Sequence, residues 1–241
     1  MVAVEGVTLE VAGGELRGLI GPNGAGKSTL FNLVTGALSP NAGEVWFDGR
    51  RLDRLPPAAR ARLGVAIAFQ AVRLFRGLSV LENVMVGAQA WTSHGFVEAA
   101  LRLPRHHREE RAIRDEAERA LEQVGLASLA AFEAESLPLG RQRSLQIARA
   151  LCGRPRLLLL DEPASGLRAA EREQLSRLLA GLHSGGLTML LVEHDVAFVT
   201  RLADRVTVLE SGRVISEGRP DEVRRDERVI AAYLGRTSAS A

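Results

Sequence analysis

The chain is poor in several side chains, and each shortage narrows what it can be. It has a single cysteine, Cys152, so no internal disulfide can form, and that residue lies in an apolar helical pattern that reads as core rather than as a nucleophile. The longest apolar runs, such as Leu157 to Leu160 and Thr188 to Val192, fall far short of the ~20 residues that cross a bilayer, so no segment is expected to enter a membrane. The N-terminus lacks a basic start, an apolar stretch and a cleavage site in that order, which leaves no visible secretory signal and predicts a cytoplasmic location. Net charge is only +2, too little to argue for nucleic acid as a partner. Lysine is the sharpest shortage. Of 31 basic side chains only Lys27 is a lysine, and the rest are arginine.

That one lysine stands in Gly21-Pro22-Asn23-Gly24-Ala25-Gly26-Lys27-Ser28-Thr29. The stretch follows an apolar run, Leu16 to Ile20, that predicts a buried strand, and it opens onto Leu30 to Val34, which predicts a helix ending at Gly36. Glycines at 21, 24 and 26 let the backbone curl tightly and turn N–H groups inward, where they and the helix N-terminus favour an anion. Lys27 is then placed to reach terminal phosphates and Ser28 to ligate Mg²⁺. A chain that uses arginine elsewhere keeps a compact, flexible ammonium at the one place a planar guanidinium would not fit.

At 46% hydrophobic the chain can bury a good core, and one unit with a helical insert is expected. Val2 to Val11 alternates like a half-exposed strand, Glu44 to Phe47 reads as another, and Asp48-Gly49 is a hairpin signal, so a small antiparallel β layer should precede an α/β core. Ser79-Val80-Leu81-Glu82 is a capping box that opens a helix toward Gln89. From Gly95 the composition changes. Residues 104–111 are charged on all sides, the helix from there runs to Val124, and a helical subdomain inserted over about 88–152 is expected. His106 and His107 read as solvated side chains rather than metal ligands. The end, 235–241, reads as a frayed tail.

A phosphate loop needs an acidic element on a neighbouring strand, and Asp161-Glu162 directly after Leu157 to Leu160 supplies it. Asp161 would hold the metal, and Glu162, one residue further out, would polarise water as general base. Gln70 after Val65 to Phe69 and His194 after Leu190 to Glu193 also terminate strands. In an open parallel sheet ligands lie outside the carboxyl ends of the strands, so both should point at the nucleotide.

The order of Gly21 to Ser28, Gln70, a glycine motif at Leu137 to Gln142, Leu157 to Glu162 and His194 resembles the ATP-binding subunits of ABC transporters over almost the whole chain. The resemblance implies an α/β P-loop NTPase fold: a RecA-like core with an antiparallel β subdomain and an inserted α-helical subdomain, the whole of 1–241 forming one ATPase domain. It implies ATP and Mg²⁺ as ligands, Gln70 as a further metal and catalytic residue beside Glu162, His194 and Lys27, and a second ATPase subunit whose Gly140 would touch ATP in trans. It also implies an integral-membrane permease docked near Gln70 to Arg76, which would hold the chain at the inner face of the membrane. Within the family, Phe69-Gln70 with Arg73-Leu74-Phe75, Leu78 to Val84, and the ending Val229 to Gly235 are similar to the longer ATPase of branched-chain amino acid importers. Urea uptake, lipopolysaccharide export, or a nucleotide-binding regulatory module without coupled turnover are the alternatives.

Three departures from the family pattern stand out. The usual Leu-Ser-Gly-Gly-Gln reads Leu137-Pro138-Leu139-Gly140-Arg141, which removes a serine hydroxyl. Arg168 stands where relatives carry an acidic residue or Asn. Nothing before Val7 can stack on a purine, and the one tyrosine, Tyr233, lies near the other end, so either Met1 is not the natural start or adenine is bound poorly.

Overall fold

The computed structural model describes residues 2–92 and 104–234. Its apolar runs become strands whose neighbours in space are mostly not neighbours in sequence. A six-stranded sheet has the order β4 (Val65–Ala68), β5 (Leu157–Asp161), β6 (Thr188–Val192), β1 (Leu16–Ile20), β7 (Arg205–Glu210) and β8 (Arg213–Gly218). The first five are parallel, and β8 pairs antiparallel with β7. A continuous apolar run such as Leu157–Leu160 is needed where both faces are covered. Leu158, Leu160, Met189 and Leu191 pack into one apolar cluster, whereas Leu157, Leu159, Leu190 and Val192 pack into the other.

The larger cluster is roofed by α3 (Val80–Met85), α4 (Pro104–Gln123), α5 (Leu139–Cys152), α6 (Ala169–Ser184) and α7 (Val196–Leu202). The Ser79 hydroxyl accepts the Glu82 N–H, and the Glu82 carboxylate accepts the Ser79 N–H, so the capping box starts α3 as its spacing predicts. After Met85 the chain tightens into a 3₁₀ turn, Val86–Ala90. Trp91 then donates its indole N–H to the Cys152 carbonyl, tying this segment to the end of α5. Cys152 is fully buried and burial pushes its thiol up to about 12, as fits a core residue. The side chains of His106 and His107, residues 93–103 of the expected insert, and the tail 235–241 lie outside the described residues.

The smaller cluster is covered by α1 (Lys27–Thr35) and by the hairpin β2 (Trp46–Phe47) and β3 (Arg50–Arg51), whose turn places Asp48 and Gly49 at positive φ. The expected strand from Val2 to Val11 does not form a ladder. Val7 and Leu9 still pack against the cluster, so the alternation marks a buried face without a strand partner among the described residues. A short helix missed by the reading, α8 (Pro220–Arg225), precedes α9 (Glu227–Leu234). Among the described residues no helix is long and apolar enough to cross a membrane.

Parallel register fixes where the strands stop. Leu19 pairs with Val192, Asp161 with Val192, and Ala68 with Leu160, so β1, β5, β6 and β4 end along one edge. The phosphate loop itself leaves β1 at that edge, and α1 beyond it is held by an arginine from α2 (Pro57–Arg62). Arg60, only 1% exposed, donates to the carbonyls of Leu33 and Val34 in the last turn of α1 and to that of Leu55. It supplies the positive charge that the last turn of α1 itself lacks. Arg60→Met keeps most of the volume but leaves these carbonyls unpaired, and should cost roughly 2–4 kcal/mol of stability. Thermal unfolding followed by circular dichroism should show a midpoint lower by roughly 5–15 °C; an unchanged midpoint would show that water replaces the guanidinium.

Candidate functional site

The loop between β1 and α1 is built for close approach. Gly21 has φ 155° and a Cβ there would lie 2.2 Å from the Leu209 carbonyl oxygen; Gly26 has φ 102° and its Cβ would lie 2.7 Å from that of Ala3. Any other residue at either position would push the loop away from its supports. Gly26 begins α1 with no side-chain cap, and the first turn holds no acidic residue, so the N-terminal N–H groups of the helix are left for a ligand. Pro22, Asn23, Gly24 and Ala25 complete the loop, which is tightened by the Ala25 N–H donating to the Pro22 carbonyl at 3.1 Å, and Thr29 lies in the first turn of α1.

Lys27 is 6% exposed and folds back over this loop, donating from Nζ to the Gly21 carbonyl at 2.6 Å and to that of Pro22 at 3.1 Å. Burial pulls its ammonium below the ordinary lysine range, against the attraction of Glu162, Asp161 and Glu193. The nearest partners of the cation are thus neutral carbonyls, with three carboxylates around them. Burial and the neighbouring Glu162 raise the Asp161 carboxyl, and Lys27 draws it back down. Among the described residues no cluster of three or more His, Cys, Asp or Glu could hold a metal unaided. Exposed Ser28 and half-buried Asp161 offer hard oxygens of the kind Mg²⁺ takes when phosphates and water complete its shell, so the donor set fits a magnesium nucleotide.

The strand-end residues converge. Glu162 accepts a hydrogen bond from the Gln70 amide at 2.7 Å, and its same oxygen lies 3.6 Å from Nδ1 of His194. Gln70 and His194 are thereby brought onto Glu162 from β4 and β6. Gln70 faces the carboxylate expected to act as base, with its amide N–H₂ as the contact. Glu162 is one of few non-glycine residues at positive φ, at 43°, and its N–H donates to the Val192 carbonyl at 2.8 Å. A left-handed backbone at a glutamate persists where its surroundings over-determine it, and such strain clusters at functional sites.

Gly140 stands with different company. At the start of α5 it donates its N–H to Glu171 at 3.3 Å, and a Cβ on it would meet only atoms of Glu171 within 4 Å among its three nearest contacts. The other Glu171 oxygen accepts the Arg168 N–H at 3.0 Å, so the retained signature glycine and the departure at Arg168 meet on one carboxylate. Pro138 caps α5 without a side-chain bond. Tyr233, far away in sequence, packs into the larger cluster with its hydroxyl toward the Gly21 backbone, and burial pushes that hydroxyl up to about 12.

Two residues of this site escape sequence reasoning. Glu193, 1% exposed, accepts the Ala164 N–H at 2.9 Å, and Arg143, 7% exposed, donates to the carbonyls of Phe69, Gln70 and Ser165. A glutamate at the end of an otherwise apolar strand was the available signal for the first. The second carries none, because an arginine in a helix reads as solvent-facing until the packing is known.

Residues 4–165 match the family described as ABC transporter, and residues 213–239 match one described as branched-chain amino acid ATP-binding cassette transporter. The chain is 41% identical over 236 residues to the high-affinity branched-chain amino acid transport ATP-binding protein LivG of Salmonella typhimurium, covering 98% of this chain and 92% of the relative. It is 35% identical over 232 residues to the lipopolysaccharide export system ATP-binding protein LptB of Escherichia coli K12, covering 96% and 90%. An ATP-binding cassette of an ABC transporter solved in its ADP conformation superposes with a TM-score of 0.82 at 29% identity, covering 97% of this chain and 92% of that one. A bacterial ABC transporter cassette solved as a dimer gives 0.73 at 27%, covering 90% of each. At this identity and coverage, the chain whose glycine loop, acidic strand end and sheet are described above belongs to the ABC transporter family, as an ATP-binding subunit.

Proposed function

We propose that the chain hydrolyses ATP to drive an importer of branched-chain, hydrophobic amino acids. The observation that carries the cargo class is the match of residues 213–239 to the branched-chain cassette family, a region outside the general ATP-binding match. The similarity to LivG over nearly the whole chain supports it. Mg²⁺ held by Ser28 and Asp161, with Gln70 in reach of the site, would neutralise phosphate charge. Lys27 transfers its hydrogen bonds from the loop carbonyls to the terminal phosphates, and the uncapped helix N-terminus binds them. Glu162 takes a proton from the attacking water, and His194, close to the same carboxylate, holds the water and γ-phosphate in line.

Two chains complete the site. In this reading Gly140 and the N-terminus of α5 face the ATP of a partner subunit, so the Glu171 contact has to yield when the dimer closes. A cleft of about 560 Å³ lined by Phe69, Arg73, Leu74, Phe75, Val86 and Arg149 lies beside Gln70 and receives the permease. Arg73 and Arg149 lie over the rings of Phe69 and Phe75, giving the cleft an aromatic floor with cationic edges. Permease motion there reaches Glu162 through Gln70. The chain then works at the inner face of the membrane while remaining outside the bilayer.

Glu162→Gln should leave Mg·ATP binding intact, lower phosphate release by roughly 100-fold or more, and give an ATP-bound dimer on gel filtration. Cells carrying it should lose uptake of leucine, isoleucine and valine while keeping urea uptake; wild-type turnover sinks the mechanism, and loss of urea uptake instead sinks the cargo. His194→Ala should cut hydrolysis roughly tenfold or more with ATP affinity within about twofold. A large loss of affinity at unchanged turnover would contradict the role given to the imidazole. Since Pro138 supplies neither hydroxyl nor N–H, Pro138→Ser should not lower turnover, whereas Gly140→Asp should abolish it by setting a carboxylate against phosphate. Phosphate-release rates decide; activity surviving in Gly140→Asp means that this end of α5 does not face ATP.

A further inference from the structure

The turn that carries Glu162 is gripped by two residues on which the mechanism above does not draw. It runs from Glu162 through Pro163 and Ala164 to Ser165, closed by the Ser165 N–H donating to the Glu162 carbonyl at 3.1 Å. From β6, Glu193 accepts the Ala164 N–H at 2.9 Å with one oxygen. Its other oxygen accepts the His194 N–H at 3.3 Å and lies 3.7 Å from Nδ1 of the His194 ring. From α5, Arg143 donates to the Ser165 carbonyl at 3.2 Å, and also to the carbonyls of Phe69, at 3.2 Å, and Gln70. Its neighbour one turn on, Gln146, donates to the Ala71 carbonyl at 2.9 Å.

Both charged groups are nearly sealed from water, Glu193 at 1% exposure and Arg143 at 7%. Burial raises the Glu193 carboxyl and lowers the Arg143 guanidinium from their usual ranges, and each is drawn back in part, Glu193 by its backbone donors and Arg143 by the Glu193 charge. Buried charges of this kind are costly unless hydrogen-bonded, and here their bonds go to main-chain groups of the segments that carry Glu162, Gln70 and His194. The backbone of Glu162 sits at φ 43°, where a free turn would relax.

We propose that Glu193 and Arg143 are positioning residues for hydrolysis: the carboxylate holds the turn after Glu162 at Ala164, the guanidinium holds it at Ser165, and together they keep the general base aimed at the water site. The proposal rests on the reading of Glu162 as that base. Glu193 also fixes the backbone of His194, and Arg143 fixes that of Gln70, so two residues set the mutual placement of three. Neither touches substrate.

The experiment uses the full chain with Mg·ATP. Glu193→Leu removes the acceptor for Ala164 and should lower kcat by about 10–100-fold with the Kd for ATP within about twofold, because misplacing a catalytic group costs rate rather than binding. Glu193→Gln retains an oxygen acceptor and should recover turnover to within about threefold of the unmodified chain. Arg143→Met should repeat the effect of Leu at 193, with Arg143→Lys between the two. In Glu193→Gln the amide proton of Ala164 should move upfield in the NMR spectrum as its charged partner becomes neutral. Turnover within threefold of normal in Glu193→Leu, or a loss of ATP affinity as large as the loss of rate, overturns the proposal. Should the Leu chain fail to fold, the Gln chain decides: an unmoved Ala164 resonance overturns the proposal, and a shifted one with turnover retained supports it. Turnover surviving in Glu162→Gln overturns the general-base reading, whereas normal turnover in Glu193→Leu beside an inactive Glu162→Gln overturns this proposal alone.

Discussion

Parallel strands in register place their carboxyl ends on one edge, and everything the site needs follows from that constraint. Four strands, β4, β5, β6 and β1, stop together because their ladders align Ala68 with Leu160, Asp161 with Val192 and Val192 with Leu19. The residues just past each end are then forced into one crevice: Gln70, Glu162, His194 and the glycine loop. The cost of the arrangement falls on the strands covered on both faces, which is why Leu157 to Leu160 has no polar residue until Asp161. Inside the sheet a buried polar side chain needs a side-chain partner, as Arg17 of β1 has in Thr207 and Glu217, whereas main-chain groups are on offer where the sheet stops. A buried carboxylate such as Glu193 is tolerated there because the chain turning away leaves N–H groups of Ala164 and His194 to satisfy it.

How much of this was legible depends on whether a requirement is local. The glycine loop could be read because positive φ and missing Cβ atoms are demands of single positions, and Gly21 and Gly26 are now seen against the carbonyls of Leu209 and Ala3. The strand ends could be read because an apolar run stopping at Asp161-Glu162 has one direction. Pairing is a different matter. Alternation in Val2 to Val11 correctly marked Val7 and Leu9 as inward-facing, yet alternation is silent on whether a neighbour supplies hydrogen bonds, and no ladder forms. Glu193 and Arg143 were illegible because their importance is a property of tertiary contact, to residues 29 and 22 positions away. The contact of Gly140 with Glu171 was hidden for the same reason.

Glu162 shows why the site cannot be reduced to a list of strand-end residues. Its carboxylate is shared between the Gln70 amide and the neighbourhood of the His194 ring, so the three side chains restrain one another before any ligand is considered. Its backbone is restrained separately, through Val192, Ala164 and Ser165. Side-chain restraint can be exchanged for contacts to water and phosphate when ATP arrives, while backbone restraint persists through the exchange. That division suits the general base proposed above, which would exchange Gln70 for water and still point the same way.

The same division separates two buried arginines from the one lysine. Arg60 and Arg143 each bind three main-chain carbonyls from one planar fork, joining α1 to α2 and α5 to the ends of β4 and β5. A fork so engaged is hard to move, since every hydrogen bond would have to be replaced in the same geometry. Lys27 binds two carbonyls of its own loop through a single ammonium that makes no directional fork. It can turn from those carbonyls to phosphate oxygens by rotating about its stem, trading neutral acceptors for charged ones. A guanidinium at position 27 would have been held by the loop or would have pushed it open. The joints made by Arg60 and Arg143 are therefore built to stay, whereas the exchange of loop carbonyls for phosphate proposed above falls to the single lysine.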